Sequence, residues 1–125
     1  MRIKLRNLNR IAKEIIKIKN VQAIYLFGSQ AIKKNHVLSD IDICIFGKLN
    51  NSEKNKIAGY GSENLDISFF DELPIWIKMR VFKGKEIAVK NKEFVKEEMI
   101  RTMREYLDFK YILNKYSYEV LKCTI

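Results

Sequence analysis

The chain has 125 residues, which is the length of one domain with a core of its own. Hydrophobic residues make up 47% of it and aromatic residues 11%, a composition that excludes an intrinsically disordered chain. The 24 Lys and Arg against 15 Asp and Glu give a formal net charge of +9, so the expected partner class is anionic. No run is apolar enough for a membrane span or a signal peptide. We therefore expect a single domain over residues 1–125 that does not enter a membrane.

Cysteine and histidine are too few and too far apart for the usual zinc sites. Cys44 and Cys123 are widely separated, and His36 is the single histidine. Two reduced thiols are typical of a cytoplasmic chain, and we expect that location. We interpret Cys44 as a small filler residue and His36 as a solvated loop residue.

Hydrophobic periodicity predicts a chain that mixes strands and helices, because a period of two marks strands and a period near 3.6 marks helices. In chain order, the predicted elements are a helix over 4–18, a strand over 21–27, a short helix over 30–34, a strand over 41–45, a loop over 47–64 with at most one helical turn near 52–56, a strand over 65–69, a helix over 73–83, a short edge strand over 86–89 and a helix over 93–115.

The last two helices carry large apolar side chains. In helix 73–83 we predict that Trp76 and Met79 belong to the core. The final helix has a wide apolar stripe, which is usually core but which a small domain can leave partly open for a partner. The members of this stripe are Ile100, Met103, Leu107 and Tyr111, with Tyr106, Phe109 and Leu113 beside them.

Three aspartates fall on the polar faces of two predicted strands. Asp40 and Asp42 alternate with isoleucines, which places both carboxylates on one strand face. Asp66 occupies a polar position of the third strand. If these strands pair side by side, the three carboxylates meet. Two of them then suit Mg²⁺, and the third joins a second metal ion or accepts a proton, as metal-dependent phosphoryl or nucleotidyl transfer requires.

The pair Gly28-Ser29 lies between the first predicted strand and the short helix. Glycine lets a phosphate approach the backbone closely, and the serine hydroxyl and the first N–H groups of a helix bind such a group. The pair therefore predicts a phosphate-binding turn.

Together, these motifs resemble the signature of the DNA polymerase β-like nucleotidyltransferase superfamily. Gly28-Ser29 is followed, after ten residues, by Asp40-Ile41-Asp42, and the flanking Leu26-Phe27 and Ile43 also fit the pattern. Within the superfamily, the chain is most similar to minimal nucleotidyltransferase (MNT) domains, and the resemblance covers residues 8–113. Segment 105–110 is similar to the last helix of stand-alone MNT antitoxins, which are paired with HEPN-domain toxins.

The resemblance implies a fold class and a set of metal ligands. The class is α+β: a small mixed β-sheet of the polymerase β-like nucleotidyltransferase fold, with helices packed on one face and a long C-terminal helix. The resemblance also implies that Asp40, Asp42 and Asp66 ligate Mg²⁺ and form the catalytic site.

The resemblance further implies that Gly28 and Ser29 hold the triphosphate of ATP, the nucleotide donor. Many members carry Ala-Arg-Gly where this chain has Ala31-Ile32-Lys33. Lys33 or Lys34 would then supply a point charge to the triphosphate without the bidentate fork of an arginine.

The implied function is Mg²⁺-dependent transfer of AMP from ATP to a hydroxyl, chiefly a tyrosine of a cognate HEPN toxin, so that the chain acts as an antitoxin. Three alternatives stay open. The chain could mask a partner without catalysis, or it could transfer a nucleotide to a small-molecule hydroxyl. Nucleic-acid binding driven by charge alone is possible but not favoured, and it would be sensitive to salt.

Overall fold

The computed structural model of the protein describes residues 5–28, 41–62 and 64–124. Within these residues it contains one sheet, four α-helices and a 3₁₀ turn at Phe70–Glu72. The elements are α1 (Leu5–Ile16), β1 (Ala23–Phe27), β2 (Ile41–Phe46), α2 (Asn51–Ala58), β3 (Leu65–Phe69), α3 (Ile75–Phe82), β4 (Lys85–Val89) and α4 (Lys92–Thr124). The predicted short helix over 30–34 lies outside the described residues.

The sheet is mixed, with the strand order β3-β2-β1-β4. β1 pairs antiparallel with both β2 and β4, whereas β2 and β3 run parallel. The parallel pair is joined through α2, because parallel neighbours need a crossover connection. The predicted strands, the mixed sheet, the edge position of β4 and the long C-terminal helix are all confirmed.

The helices cover both faces of the sheet, so the prediction that they pack on one face is wrong. On one face, α1 and α2 pack against Ile24, Ile43 and their neighbours. On the other face, α3 and α4 pack against Tyr25 and Phe46. The physical reason is that β1 and the second half of β2 present apolar side chains at successive positions, which buries both of their faces.

Residues 51–58 form a helix of eight residues where the sequence predicts a loop with at most one turn. A reciprocal capping box starts this helix: the Asn50 side chain accepts from the Glu53 N–H at 2.8 Å, and the Glu53 carboxylate accepts from the Asn50 N–H at 3.1 Å. Asn20 also donates to the Glu53 carboxylate, at 2.9 Å. Ile57 anchors the helix because its side chain is fully buried.

The predicted core position of Trp76 in α3 is wrong, since its side chain is 55% exposed. Val81 is the α3 residue that enters the core. Five residues of α-helix rotate the chain by about 500°, which leaves Trp76 about 140° away from the buried face. Its ring contacts Phe109 of α4, with 6.2 Å between the ring centroids. Met79 is partly buried.

The helix α4 has 33 residues and is about 50 Å long, so it extends well beyond the predicted end near residue 115. Its first turns pack on the sheet through Phe94 and Val95, and Thr102 is also buried. Beyond Thr102, most of the predicted apolar stripe is exposed: Leu107 and Tyr111 are 60% and 69% exposed, whereas Tyr106 is partly buried. No helix among the described residues has the length and apolar character of a membrane span.

Candidate active site

The sheet register pairs the two described aspartates of the predicted site. Asp42 of β2 lies opposite Asp66 of β3 in the parallel ladder, between the pairs Ile41–Leu65 and Ile43–Ile67. Neighbouring strands are about 5 Å apart, so the two carboxylates come from adjacent positions of the sheet. The predicted site required that these two strands pair side by side, and they do.

Both aspartates project from the same face of the sheet. Leu65 and Ile41 are buried in the core beneath α1 and α2, and alternation along each strand turns Asp42 and Asp66 to the opposite face. Asp66 is exposed and Asp42 is partly exposed. On this face, α3 and α4 cover Tyr25, Cys44 and Phe46, which leaves the carboxylates at the end of the sheet where β2 and β3 begin.

Gly28 follows the last residue of β1 and lies directly against this carboxylate pair. Its φ of +81° falls in the left-handed region that favours glycine. A Cβ placed on Gly28 would be 2.6 Å from Oδ2 of Asp42. The chain therefore passes close to the carboxylate at this point, and the absence of a side chain leaves room for both.

The other predicted site residues lie outside the described residues: Asp40, Ser29 and Lys33, together with His36. Among residues 5–28, 41–62 and 64–124, no group of three His, Cys, Asp or Glu side chains could hold a metal ion. The described part of the site therefore supplies two carboxylates, Asp42 and Asp66. Carboxylate oxygens are the ligands that Mg²⁺ prefers, and it commonly uses one or two of them together with substrate phosphates, so this donor set fits Mg²⁺.

Cys44 lies two residues after Asp42 on the same strand face. Its side chain is buried and is a free thiol. Burial raises the pKa of its thiol well above the ordinary value, and nearby Asp71 raises it further. A thiol held in its protonated form is a poor nucleophile. The interpretation of Cys44 as a filler residue is therefore supported.

Sequence reasoning missed one residue that contacts the strand end leading into this site. A glycine just after a helix usually does no more than mark the end of that helix, and Gly84 follows α3 in this way. In the structure, a Cβ on Gly84 would lie 2.1 Å from the Leu26 carbonyl oxygen, two residues before Gly28. No local sequence pattern gives this approach, because it depends on how β4 returns alongside β1.

A model of the polymerase β nucleotidyltransferase family matches residues 9–93, a stretch that contains all four described strands together with α2 and α3. The chain belongs to the polymerase β nucleotidyltransferase family. The resemblance drawn from the Gly-Ser and Asp-x-Asp motifs is thus confirmed. The family match ends where α4 begins.

A curated relative and several solved structures are similar to this nucleotidyltransferase. A protein of Methanocaldococcus jannaschii named "putative protein adenylyltransferase" is 37% identical over 67 residues, which are 54% of this chain and 54% of that protein. The match thus spans about half the length of that relative.

The solved structures share the fold at lower identity. A crystal structure of a toxin–antitoxin with AMP-PNP aligns with a TM-score of 0.68 and 20% identity, over 90% of this chain and 98% of that chain. A complex of a tri-AMPylated Shewanella oneidensis HEPN toxin with an MNT antitoxin aligns with a TM-score of 0.62 and 22% identity, over 94% of this chain and 99% of that chain. A structure described as a "putative nucleotidyltransferase" from Sulfolobus solfataricus aligns with a TM-score of 0.52 and 23% identity, over 70% of this chain and 82% of that chain.

Proposed function

We propose that this nucleotidyltransferase transfers AMP from ATP to a hydroxyl in an Mg²⁺-dependent reaction, and that the acceptor is a tyrosine of a cognate HEPN toxin. The observation that carries the proposal is the side-by-side register of Asp42 and Asp66 next to Gly28. The curated relative named as a protein adenylyltransferase, and the likeness to an antitoxin chain beside an AMPylated toxin, support the choice of AMP and of a protein acceptor.

The residues of the site divide the chemistry between them. Asp40 and Asp42 would hold Mg²⁺, which when bound neutralises charge on the α-phosphate and on the departing pyrophosphate, and Asp66 would remain to accept a proton. Gly28 and Ser29 would bind the triphosphate through the backbone and the hydroxyl, with Lys33 as a further positive charge.

The transfer itself is an in-line displacement. The acceptor oxygen forms a bond to the α-phosphorus, the bond from that phosphorus to the bridging oxygen of the β-phosphate breaks, and pyrophosphate leaves. The proton of the acceptor hydroxyl passes to Asp66, the exposed carboxylate of the pair. Holding the donor and the acceptor in this geometry supplies much of the rate enhancement.

The exposed part of α4 supports a protein partner. It lies beyond the family core at residues 9–93 and carries a run of large apolar side chains that the rest of the described chain does not cover. A monomer rarely leaves such a surface open, so it is suited to docking on a protein. We assign it to the toxin, because several solved structures of toxin–antitoxin complexes align with this chain over 98–99% of their own chain.

The test incubates the protein with ATP labelled at the α-phosphate, Mg²⁺ and the protein encoded beside it, which the proposal expects to be the toxin. We expect label on the toxin with the native chain. Asp42→Asn and Asp66→Asn should each lower the rate by at least about 100-fold, since each removes a charge that the reaction needs. Asp71→Asn is the matched control. Asp71 is an exposed carboxylate of the 3₁₀ turn after β3, and it forms an ion pair with Lys54 at 3.5 Å, away from the Asp42–Asp66 pair.

The outcome decides between this function and a partner-masking scaffold, which the exposed face of α4 also favours. A masking scaffold predicts that Asp42→Asn still neutralises the toxin in cells at native expression. Absence of label on the toxin, or undiminished label with Asp42→Asn, would contradict the proposed transfer.

A further inference from the structure

The turn between α3 and β4 approaches the strand end that leads into the site. Gly84 is the second of two residues in this turn, and its N–H donates to the Val81 carbonyl at 3.0 Å. A Cβ on Gly84 would be 2.1 Å from the Leu26 carbonyl oxygen and 3.2 Å from the Phe27 Cα. Since real Cβ atoms essentially never come closer than 3.0 Å, a side chain here would force this turn and the β1 backbone apart by about 0.9 Å.

Space, not backbone conformation, requires glycine at this position. Gly28 and Gly47 are the described glycines with a positive φ, and Gly84 is not one of them. An alanine at Gly84 could therefore keep the backbone dihedrals but not the contact with β1. The conflict falls on backbone atoms, which cannot rotate away as the end of a side chain can.

The displaced segment is the one that sets the site. Leu26 pairs with Lys85 of β4, Phe27 pairs with Asp42 of β2, and Gly28 follows at once against the Asp42 carboxylate. A shift of the backbone at Leu26 would therefore move Gly28 relative to the Asp42 carboxylate.

We propose that Gly84 is a positioning residue for nucleotide binding: its missing side chain lets α3 and β4 close against the end of β1 and so fixes the place of Gly28 relative to Asp42. The inference rests on the proposed function, because it assumes that the triphosphate binds at Gly28. A displacement near 1 Å at a binding turn is expected to weaken function by about 10- to 100-fold.

Gly47 provides a matched control at the opposite end of the sheet. A Cβ there would be 2.1 Å from the Asn20 carbonyl oxygen and 3.3 Å from the Val21 Cα, almost the same surroundings as at Gly84. Its φ of +149° adds backbone strain, so alanine at Gly47 should be at least as destabilising. Val21 precedes β1, so this strain enters the sheet away from Gly28.

The experiment measures the affinity of the full chain for AMP-PNP with Mg²⁺, at a temperature where circular dichroism shows each variant folded. We expect the dissociation constant of Gly84→Ala to rise about 10- to 100-fold over the native value, and that of Gly47→Ala to stay within about twofold. Equal affinities in the two variants would overturn the inference. Absence of AMP-PNP binding by the native chain would instead overturn the proposed function.

A second measurement on the native chain decides the matter if Gly84→Ala does not fold. Saturating AMP-PNP with Mg²⁺ should slow amide hydrogen exchange at residues 84–85 as well as at 27–28, and leave residues 47–48 unchanged. Slower exchange at 27–28 without any change at 84–85 would overturn the inference.

Discussion

At the scale of single residues, a hydrogen bond between Tyr25 and Glu86 joins the centre of the sheet to its edge. The Tyr25 hydroxyl donates to Oε1 of Glu86 at 3.1 Å, from a ring that is 5% exposed. Burial, followed by the hydrogen bond and the charge of Glu86, raises the pKa of Tyr25 from 10.0 to about 12. The folded state therefore favours the protonated phenol over the phenolate.

This raised pKa predicts a loss of stability in alkali. The contribution of Tyr25 to the free energy of unfolding is fully present below pH 10 and is lost as the pH rises from 10 to 12. In that range the Tyr25 phenol ionises easily only in the unfolded chain. Urea unfolding should show that the advantage of the native chain over Tyr25→Phe shrinks by about 2 kcal/mol across this interval. Tyr116→Phe, at a ring that is 68% exposed, is the control for removing a phenol. A constant difference between native and Tyr25→Phe would contradict the prediction.

The site residues show how far sequence reasoning reaches at this scale. A period of two correctly places Asp42 and Asp66 on polar strand faces, because alternation is a local property of strands. Their register is not local, because it depends on the crossover through α2. The approach of Gly84 to Leu26 is likewise set by tertiary packing, so the sequence can show that glycine is present but not that it is needed.

At the scale of elements, Lys90 ties the end of α1 to the edge of the sheet. Its Nζ donates to the carbonyl oxygens of Ile16 and Ile18 at 3.0 Å and to that of Lys19 at 3.4 Å. These carbonyls belong to the end of a helix and to the turn after it, where backbone acceptors lack helical partners. Lys90 is an exposed residue directly after β4, and it caps the end of α1 from there.

Replacing this lysine should destabilise the fold without touching the site. We expect Lys90→Met to lower the free energy of unfolding by about 1–2 kcal/mol, since it removes charge-assisted bonds to a helix end. Lys13→Met is the matched control, because Lys13 is exposed in the last turn of the same helix. Denaturant unfolding measures both. Equal losses in the two variants would show that the contacts of Lys90 contribute nothing specific.

The elements that sequence reasoning missed have identifiable causes. The pattern Asn50-Asn51-Ser52-Glu53 is a capping-box signal, but the polar composition of the surrounding stretch favours a loop. The helices on the second face follow from the apolar residues Tyr25 and Phe46, whose positions interrupt the pattern of one apolar and one polar face. Long strands and capped helices are thus predictable, whereas the choice of face depends on the partner elements.

At the scale of the whole molecule, the chain consists of a compact nucleotidyltransferase core and a helix that extends from it. The half of α4 beyond Thr102 begins near the end of the sheet opposite to the carboxylates, since Glu105 lines a cleft together with Gly47 and Asp71. A partner held there is anchored at a distance from the chemistry. Docking and catalysis can therefore be separated by mutation.

This separation gives a prediction for the exposed face of α4. Leu107→Ser combined with Tyr111→Ser should weaken binding to the toxin at least about tenfold, because large apolar and aromatic side chains dominate such interfaces. The free energy of unfolding should hardly change, since both side chains are mostly exposed. Lys110→Ser with Lys115→Ser is the control on the same helix. Unchanged toxin affinity in a calorimetric titration would contradict the assignment of this surface.

We expect the Asp42–Asp66 pair to support transfer of a nucleotidyl group and not of a terminal phosphate. The most direct measurement compares two samples of ATP, one labelled at the α-phosphate and one at the γ-phosphate, in reactions with the native chain, Mg²⁺ and the cognate toxin. We predict that the toxin acquires label from the α-labelled ATP alone, while the γ-label appears in pyrophosphate. Transfer of the γ-label to the toxin, or of neither label, would contradict the claim.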